Sequence, residues 1–389
     1  LGMYCLPWHM PQLLQGAGAV EQVAALLKEK GWQRVLIVTG KSSIKYHLID
    51  GLLAKLDEEG IVYIFHDGIA PDPTDKDVEL GVKLFCDNHC DALLAFGGGS
   101  PMDCAKAMAA RLARPNKTIA QLHGLLKVLR AVVPVIYIPT TSGTGSEVTM
   151  AAVITDSNTN HKAAISDICL LPSYAVLDPA LTLSMPQGLT STTGMDALCH
   201  AVEAYTNYTY TTKLERDLAK KAVKLLYDNL YHAYIDGSDI TARENVQLAA
   251  YYAGRAFTRG CVGYVHAIGH GVGALYHTSH GTAMGVLLPH VMRRYGKAAD
   301  KRLAELWDSC QPNSSLTAEE EKAEAFICWI EELKVKMEIP LYLPVLEEKD
   351  IPQLAEWADK EANPLYPTPV TWSRQDFTNF LQSMLAGAF

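Results

Sequence analysis

Side chains that bind metals are concentrated in two stretches of the C-terminal half of the sequence. The segment TGMDALCH places Asp196 and His200 four residues apart, so both side chains lie on one face of an α-helix. A second stretch has four histidines within fifteen residues: His266, His270, His277 and His280. His266 and His270 are again four apart, and Gly281 predicts that a helix ends just after His280. Several imidazoles and one carboxylate could therefore meet on neighbouring helix faces.

A shared cation is the simplest explanation for this concentration. A single histidine on an apolar helix is usually a buried residue with its own hydrogen-bonding partner. Several histidines in otherwise apolar segments would each need a separate partner, because a buried polar group without one is costly. Imidazoles with one carboxylate and no thiolate favour Fe(II) or Zn(II) over magnesium and calcium, which bind oxygen ligands. The ligand types alone do not separate iron from zinc.

Two glycine-rich loops in the N-terminal half have the composition of a phosphate site. The first, GGGS (97–100), follows the apolar run ALLAF and precedes a helical pattern, so backbone N–H groups and a helix dipole would face an anion. The second, PTTSGTGSE (139–147), follows the run VPVIYI. Neither loop matches the GxGxxG fingerprint or a P-loop. If both follow strands of one sheet, we expect a phosphorylated ligand at its carboxyl edge; the alternative is two unrelated surface loops.

The elements that carry these motifs differ between the two halves of the chain. In the first half, β-branched runs such as RVLIVT (34–39) and the run ALLAF (92–96) alternate with helical patterns, for example 43–59. Strands separated by helices predict βαβ units and a mostly parallel sheet. In the second half, Ala, Leu, Glu and Lys at helical spacing replace these runs. We therefore predict an α/β dinucleotide-binding domain (1–185) followed by an all-helical metal-binding domain (186–389).

Bulk composition narrows the class of protein. The chain has 389 residues, 49% of them hydrophobic and 20% charged, which is typical of a globular protein with two domains. A formal net charge of −9 disfavours nucleic acids and anionic membranes as partners. We find neither a membrane-spanning apolar window nor a signal peptide, and nine scattered cysteines do not form a disulfide framework. We therefore expect a cytoplasmic protein.

Four motifs, in their order and separations, resemble the iron-containing alcohol dehydrogenase family, whose fold is similar to that of dehydroquinate synthase. They are GGGSPMD (97–103), PTTSGTGSEVT (139–149), TGMDALCHAVEAY (193–205) and VHAIGHGVGALYHTSHGTAMGVLLPHVMRR (265–294). The resemblance extends from Gly16 to about residue 360. It implies an NAD(P)-linked oxidoreductase that uses Fe²⁺, with Zn²⁺ as the other candidate. The reaction implied is hydride transfer between small primary alcohols or diols and aldehydes or ketones.

The resemblance also implies roles for individual residues. It places metal ligands at Asp196, His200, His266 and His280, and proton transfer at His270, with His277 as a second candidate for that transfer. At the cofactor, it places Gly97, Gly98, Gly99, Ser100 and Asp103 near the pyrophosphate, Thr140, Thr141, Ser146 and Lys162 near the ribose and nicotinamide, and Leu189 near the adenosine. Family members commonly form dimers or larger homo-oligomers, and we expect the same of this chain.

The first strand ends in a departure from the pattern of many NAD-preferring family members. Where those have an acidic residue, this sequence has Gly40, followed by Lys41 and Ser42. A carboxylate there would bond the ribose 2′-hydroxyl and repel a 2′-phosphate. We therefore expect Gly40, Lys41 and Ser42 to lie at that end of the cofactor and to admit NADP(H) as well as NAD(H).

Three other functions remain open at this stage. Glycerol and polyol dehydrogenases, like dehydroquinate synthases, share the architecture and usually bind zinc. A metal-dependent enzyme without redox chemistry, such as a hydrolase, could use the same ligands but would leave both glycine loops unexplained. A non-catalytic ligand-binding protein would not need a complete ligand set, whereas every expected metal position here carries a competent ligand.

Overall fold

The apolar runs of the N-terminal half form a sheet in the computed structural model, which describes residues 6–159 and 162–386. The strands within these residues are β1 Gln12–Gln15, β2 Arg34–Thr39, β3 Val62–His66, β4 Ala92–Gly97, β5 Gly124–Leu125, β6 Val135–Pro139, β7 Ala151–Thr155, β8 Lys162–Ser166 and β9 Tyr174–Leu177. Six form one parallel sheet in the order β1–β9–β6–β4–β2–β3, and β5, β8 and β7 form a small second sheet. The predicted α/β domain with a mostly parallel sheet is confirmed.

Helices follow and separate these strands. Those of the first half are α1 Val23–Lys30, α2 Lys41–Lys45, α3 Asp50–Glu58, α4 Asp75–Asp87, α5 Gly99–Ala113 and α6 Ile119–Leu122. Those of the second half are α7 Gln187–Thr206, α8 Lys213–Ile235, α9 Ile240–Gly260, α10 Tyr264–Tyr276, α11 His280–Tyr295, α12 Lys297–Cys310, α13 Glu319–Lys336, α14 Ile351–Ala362 and α15 Arg374–Ala386. The predicted helical second domain is confirmed. None of the described helices is both long and apolar enough to cross a membrane.

The contacts divide the chain into two units, Leu1–Ser184 and Met185–Phe389. The predicted boundary between residues 185 and 186 lies one residue along the chain from this division. The glycine loops therefore belong to the first unit, and the aspartate and histidine motifs belong to the second.

Both faces of the main sheet are buried, because alternate residues of each strand point to opposite faces. In β2, Val35 and Ile37 pack with α1 and α3, whereas Leu36 and Val38 pack with α4 and α5. This explains why the strand is an uninterrupted apolar run and not an alternating one. The carboxyl ends of the strands, where the glycine loops begin, are thus anchored in a packed core.

The structure corrects two of the local predictions. The helix predicted over residues 43–59 is two helices, α2 and α3, and His47 in the break has a φ of 58°, which a continuous helix does not allow. The helix end predicted at Gly281 is wrong, because Gly281 is the second residue of α11. A Cβ at Gly281 would lie 2.2 Å from the carbonyl oxygen of Thr192. Glycine is therefore needed for the close approach of α11 to α7.

Candidate functional site

Three helices bring the predicted metal ligands together. Asp196 and His200 lie on α7, His266 lies on α10, and His280 is the first residue of α11. The Nε2 atoms of His200, His266 and His280 lie 3.7, 3.5 and 3.2 Å from Oδ1 of Asp196. Four ligand atoms about 2.1 Å from one ion at tetrahedral angles would be about 3.4 Å apart. The spacing of the three imidazoles around the carboxylate is thus the spacing of ligands that share a cation.

Burial of the ligands supports the same conclusion. Asp196, His200 and His266 are buried, and their candidate ligand atoms all lie within 4.8 Å of one another. Among the described residues, neither Oδ1 of Asp196 nor Nε2 of His266 has a hydrogen-bond partner. Buried polar atoms without partners cost free energy, and a divalent cation would satisfy both of these. The residues therefore fit the metal that their types predict.

The electrostatics of the cluster keep the central carboxylate ionised. Burial raises the pKa of Asp196, but the imidazoles of His200, His280 and His266 lower it well below its usual range. The ring of His200 is also fixed in place, because it stacks on Phe257 with 4.0 Å between centroids. The centre thus combines one anionic oxygen with three nitrogen donors.

The two histidines predicted to transfer protons, His270 and His277, have different surroundings in the structure. His270 is 43% exposed, and its ring stacks on that of His280 with 5.4 Å between centroids. Its Nδ1 lies 2.8 Å from Oε1 of Glu361, which also accepts a hydrogen bond from the Tyr366 hydroxyl at 2.9 Å. His277, in contrast, is an exposed residue at the end of α10 with a φ of 55°, and its ring makes no ring contact within the described part of the chain. Of the two, His270 lies beside the ligands.

The two glycine loops of the first unit meet at the carboxyl ends of two neighbouring strands of the main sheet. Their strands, β4 and β6, are neighbours, and the Thr140 N–H donates to the Gly97 carbonyl at 2.9 Å. Gly97 has a φ of 145°, which side chains rarely adopt, and a Cβ there would lie 2.9 Å from Cγ of Pro101. A Cβ on Gly99 would lie 3.0 Å from Cγ2 of Thr144 in the second loop. The glycines therefore allow both the sharp turn into α5 and the close contact of the loops.

A buried lysine that the sequence analysis did not identify supports the second loop. The three N–H donors of the Lys106 ammonium group share four oxygens within range of Nζ: the Ser146 carbonyl at 2.5 Å, the Ser146 and Thr149 hydroxyls at 3.0 Å each, and the Ala151 carbonyl at 3.2 Å. Burial lowers the pKa of Lys106 to about 8, although Asp103 and Glu147 oppose the shift. Asp103 accepts hydrogen bonds from the Ser146 hydroxyl and the Val153 N–H, each at 3.0 Å. Helix α5 thus fixes the second loop through two charged side chains.

Comparison with known proteins places the chain in a family. Residues 11–179 match the family described as iron-containing alcohol dehydrogenase, and residues 190–385 match the C-terminal part of the Fe-containing alcohol dehydrogenase family. The chain belongs to the iron-containing alcohol dehydrogenase family. The predicted reaction class, a metal-dependent oxidoreductase acting on alcohols, is thereby confirmed.

Individual members of the family resemble this chain over most of its length. The NAD-dependent methanol dehydrogenase of Bacillus methanolicus is 38% identical over 348 residues, which cover 89% of this chain and 91% of that one. The NADPH-dependent butanol dehydrogenase of Clostridium saccharobutylicum is 36% identical over 330 residues, covering 84% and 83%. A crystal structure of 1,3-propanediol oxidoreductase superposes with a TM-score of 0.93 at 33% identity, covering 97% of this chain and 99% of that one. The two-domain architecture is therefore that of the family.

The remaining predicted cofactor residues occupy different environments. Gly40 precedes α2, whose first residues are Lys41 and Ser42, and the paired strands β2 and β4 put them at the same sheet edge as the glycine loops. Ser100 lies in the first turn of α5, and a Cβ on Gly98 would contact Thr141 at 3.4 Å. Lys162 forms a surface ion pair with Asp72 at 2.7 Å. Leu189, in the second unit, is 40% exposed in the first turn of α7. The cofactor contacts of all these residues, and of Asp103, Thr140 and Ser146, stay predictions.

Two glutamates that contact His266 and His270 were missed by the sequence analysis, and the sequence could have indicated only one of them. Glu203 accepts a hydrogen bond from Nδ1 of His266 at 2.6 Å. It lies three residues after His200 on α7, so its position on the helix face of the ligands could have identified it. Glu361, the partner of His270, is 91 residues away in sequence, and no motif surrounds it.

Proposed function

We propose that this family member interconverts a small primary alcohol or diol with its aldehyde or ketone. It uses Fe²⁺ held by Asp196, His200, His266 and His280, with a nicotinamide dinucleotide at the two glycine loops. The observation that carries the proposal is the approach of three imidazole Nε2 atoms to within 3.7 Å of one buried carboxylate oxygen. The same donors also suit Zn²⁺, so the metal content of the purified protein has to be measured.

The residues of the chain divide the work of such a reaction. A divalent cation, when bound, polarises the substrate oxygen as a Lewis acid, and the nicotinamide supplies the hydride chemistry. Asp196 contributes the negative charge that holds the cation. His270 exchanges the hydroxyl proton with solvent: its Nδ1 is engaged by Glu361 at 2.8 Å, its Nε2 is left for that exchange, and its ring is 43% exposed.

For the nucleotide, the proposal is that NADP(H) is accepted as well as NAD(H). Gly40 offers no carboxylate to repel a 2′-phosphate, and Lys41 follows it at the same sheet edge. A Cβ on Gly40 would lie 3.2 Å from the carbonyl oxygen of Ile69, so an aspartate there requires a local shift of the backbone. Relatives named for NAD and for NADPH are 38% and 36% identical to this chain, so overall similarity does not favour either nucleotide.

The assembly is inferred by analogy with the family, and the location is inferred from the scattered cysteines of the sequence. We infer a homodimer or larger homo-oligomer that acts in the cytoplasm. Light scattering of the purified protein would test the assembly, and a monomer at micromolar concentration would contradict it.

The experiment that tests the function is anaerobic reduction of short aldehydes and ketones, with NADPH and NADH in turn, after loading with Fe²⁺. We expect turnover that depends on added metal and disappears in His266→Ala. The ratio of the two nucleotide activities, measured again in Gly40→Asp, shows whether residue 40 sets the preference. Binding of both nucleotides without reduction of any carbonyl would redirect the proposal to polyols. Absence of nucleotide binding would contradict the assignment of the loops.

A further inference from the structure

Helix α10 carries two imidazoles, and a carboxylate engages Nδ1 of each. His266 pairs with Glu203 at 2.6 Å, and His270 pairs with Glu361 at 2.8 Å. The two histidines are one helical turn apart, but only His266 belongs to the proposed metal ligands. The pair with Glu203 is almost fully buried, whereas 43% of the His270 side chain is exposed. The two pairs therefore share chemistry and differ in surroundings.

Both carboxylate oxygens of Glu203 are used at the start of α10. Oε2 accepts from Nδ1 of His266, and Oε1 accepts from the backbone N–H of Val265 at 2.8 Å. The residue before α10 is Gly263, which has no side chain to cap the helix. A Cβ there would lie 2.8 Å from Oε1 of Glu203. The carboxylate thus occupies space that glycine leaves free and caps the helix from α7, where the helix dipole favours a negative charge.

This arrangement determines which nitrogen of His266 is available to a metal. With Oε1 of Glu203 accepting from the Val265 N–H, Oε2 is the acceptor that faces Nδ1 of His266, and Nδ1 is the donor in this pair. In a neutral imidazole the lone pair is then on Nε2. Nε2 is the atom that lies 3.5 Å from Oδ1 of Asp196 and has no hydrogen-bond partner among the described residues. Glu203 therefore directs Nε2 of His266 toward the other ligands.

We propose that Glu203 is a positioning residue of the metal centre, which fixes the tautomer and ring direction of His266 and so raises metal affinity. The inference rests on the metal site of the proposed function. Helix α7 would then supply two ligands, Asp196 and His200, and also the positioning carboxylate of Glu203, which lies three residues after His200. Carboxylates that orient metal-binding histidines in this way typically contribute roughly 10- to 100-fold in affinity.

The test compares Glu203→Leu with Glu361→Leu, a matched removal of the carboxylate from the neighbouring pair. Zn²⁺ affinity is measured by competition with a chelator, beside thermal unfolding of the metal-free proteins. We expect Glu203→Leu to weaken binding by roughly 10- to 100-fold and Glu361→Leu by less than about threefold. Glu203→Gln should recover part of the loss, because its amide oxygen can still accept from Nδ1. An unchanged affinity in Glu203→Leu, with only a lower melting temperature, would show a helix cap and overturn the proposal.

A measurement on the wild-type protein decides the question even if Glu203→Leu does not fold. Nitrogen-15 NMR of the imidazoles in the Zn²⁺-loaded protein, assigned with His266→Ala, reports which nitrogen of His266 carries the proton. A protonated Nδ1 and a metal-bound Nε2 support the proposal, and the reverse overturns it. If the wild type binds no divalent cation, the proposed function fails together with the inference. If it binds one with unchanged affinity in Glu203→Leu, the inference alone fails.

Discussion

The two candidate sites of this alcohol dehydrogenase are built from different chemical groups. In the second unit, side chains on α7, α10 and α11 converge on Oδ1 of Asp196, with separations of 3.2 to 3.7 Å. In the first unit, the loop from Gly97 to Gly99 has no side chains, and the neighbouring loop at Ser146 is held by hydrogen bonds with Lys106 and Asp103. One site depends on which side chains are present. The other depends on where side chains are absent.

This difference leads to opposite expectations for mutagenesis. Removing a polar side chain should abolish the metal centre, because each ligand atom belongs to one residue. Adding a methyl group should disrupt the glycine loops, because their shape depends on missing Cβ atoms. The predictions that follow test this contrast, in order of decreasing expected effect.

The largest effect is expected for Asp196→Asn. The amide keeps the size of the side chain but removes the only negative charge among the four ligands, and the change should reduce metal-dependent activity by more than roughly 100-fold. Metal analysis of the purified protein should show the loss directly. The matched control is His277→Asn, which replaces an exposed residue with a φ of 55° by another residue that tolerates this conformation. Equal metal content in both variants would contradict the assignment of Asp196.

A smaller effect, confined to the nucleotide, is expected for Gly97→Ala. The new Cβ would be strained at a φ of 145° and would lie 2.9 Å from Cγ of Pro101, so the loop has to move. We expect the KM for the nucleotide to rise by about 10-fold or more while metal content is unchanged. Gly51→Ala is the control, because nothing lies within 4 Å of its Cβ position in α3. A KM that does not change in Gly97→Ala would remove the loop from the nucleotide site.

The same contrast explains what could be predicted from the sequence. Helical spacing predicted that Asp196 and His200 share one helix face and that His266 and His270 share another, whereas the choice of His266 and His280 as ligands came from the resemblance to the family. The strand RVLIVT was predictable because both faces of β2 are buried. The glycine loops were predictable only as a pattern, since backbone N–H groups have no sequence signature.

What could not be predicted depends on contacts between distant segments. Glu361 reaches His270 across 91 residues, and Gly281 is set by the backbone of α7 at Thr192. Lys106 is fully buried in a helix, and its burial is explained by four oxygens of Ser146, Thr149 and Ala151, which come together only in the assembled fold. Such residues follow from the assembled fold and not from local periodicity.

Lys106→Met tests whether a side chain can act on the backbone site indirectly. The variant leaves the carbonyl oxygens of the buried Ser146 and the partly buried Ala151 without this donor, and we expect the free energy of unfolding to fall by roughly 1–3 kcal/mol. The KM for the nucleotide should rise several-fold as the second loop loosens. Denaturant titration and steady-state kinetics measure the two effects. Lys55→Met, which removes an exposed pair with Glu58, is the control and should leave the stability nearly unchanged. A KM equal to that of the wild type would limit Lys106 to a structural role.

The last expected effect, which changes stability with pH and not activity, originates at Glu147. Burial raises the pKa of this side chain to about 7, against the lowering effects of its own backbone hydrogen bond and of Lys106. Between the ordinary value of 4.5 and about 7, the folded state therefore binds the proton more strongly than the unfolded state. The contribution of Glu147 to the free energy of unfolding is highest below pH 4.5 and falls as the pH rises through about 7.

Glu147→Gln removes this titration because glutamine stays neutral. Relative to the wild type, the variant should gain roughly 1–3 kcal/mol between acidic pH and pH 8. Thermal unfolding of both proteins at several pH values, with a chelator present so that metal binding does not contribute, measures the difference. A difference that is constant with pH would show that the Glu147 carboxyl is solvated or fully compensated by Lys106. The buried charges of Glu147 and Lys106 would then be balanced.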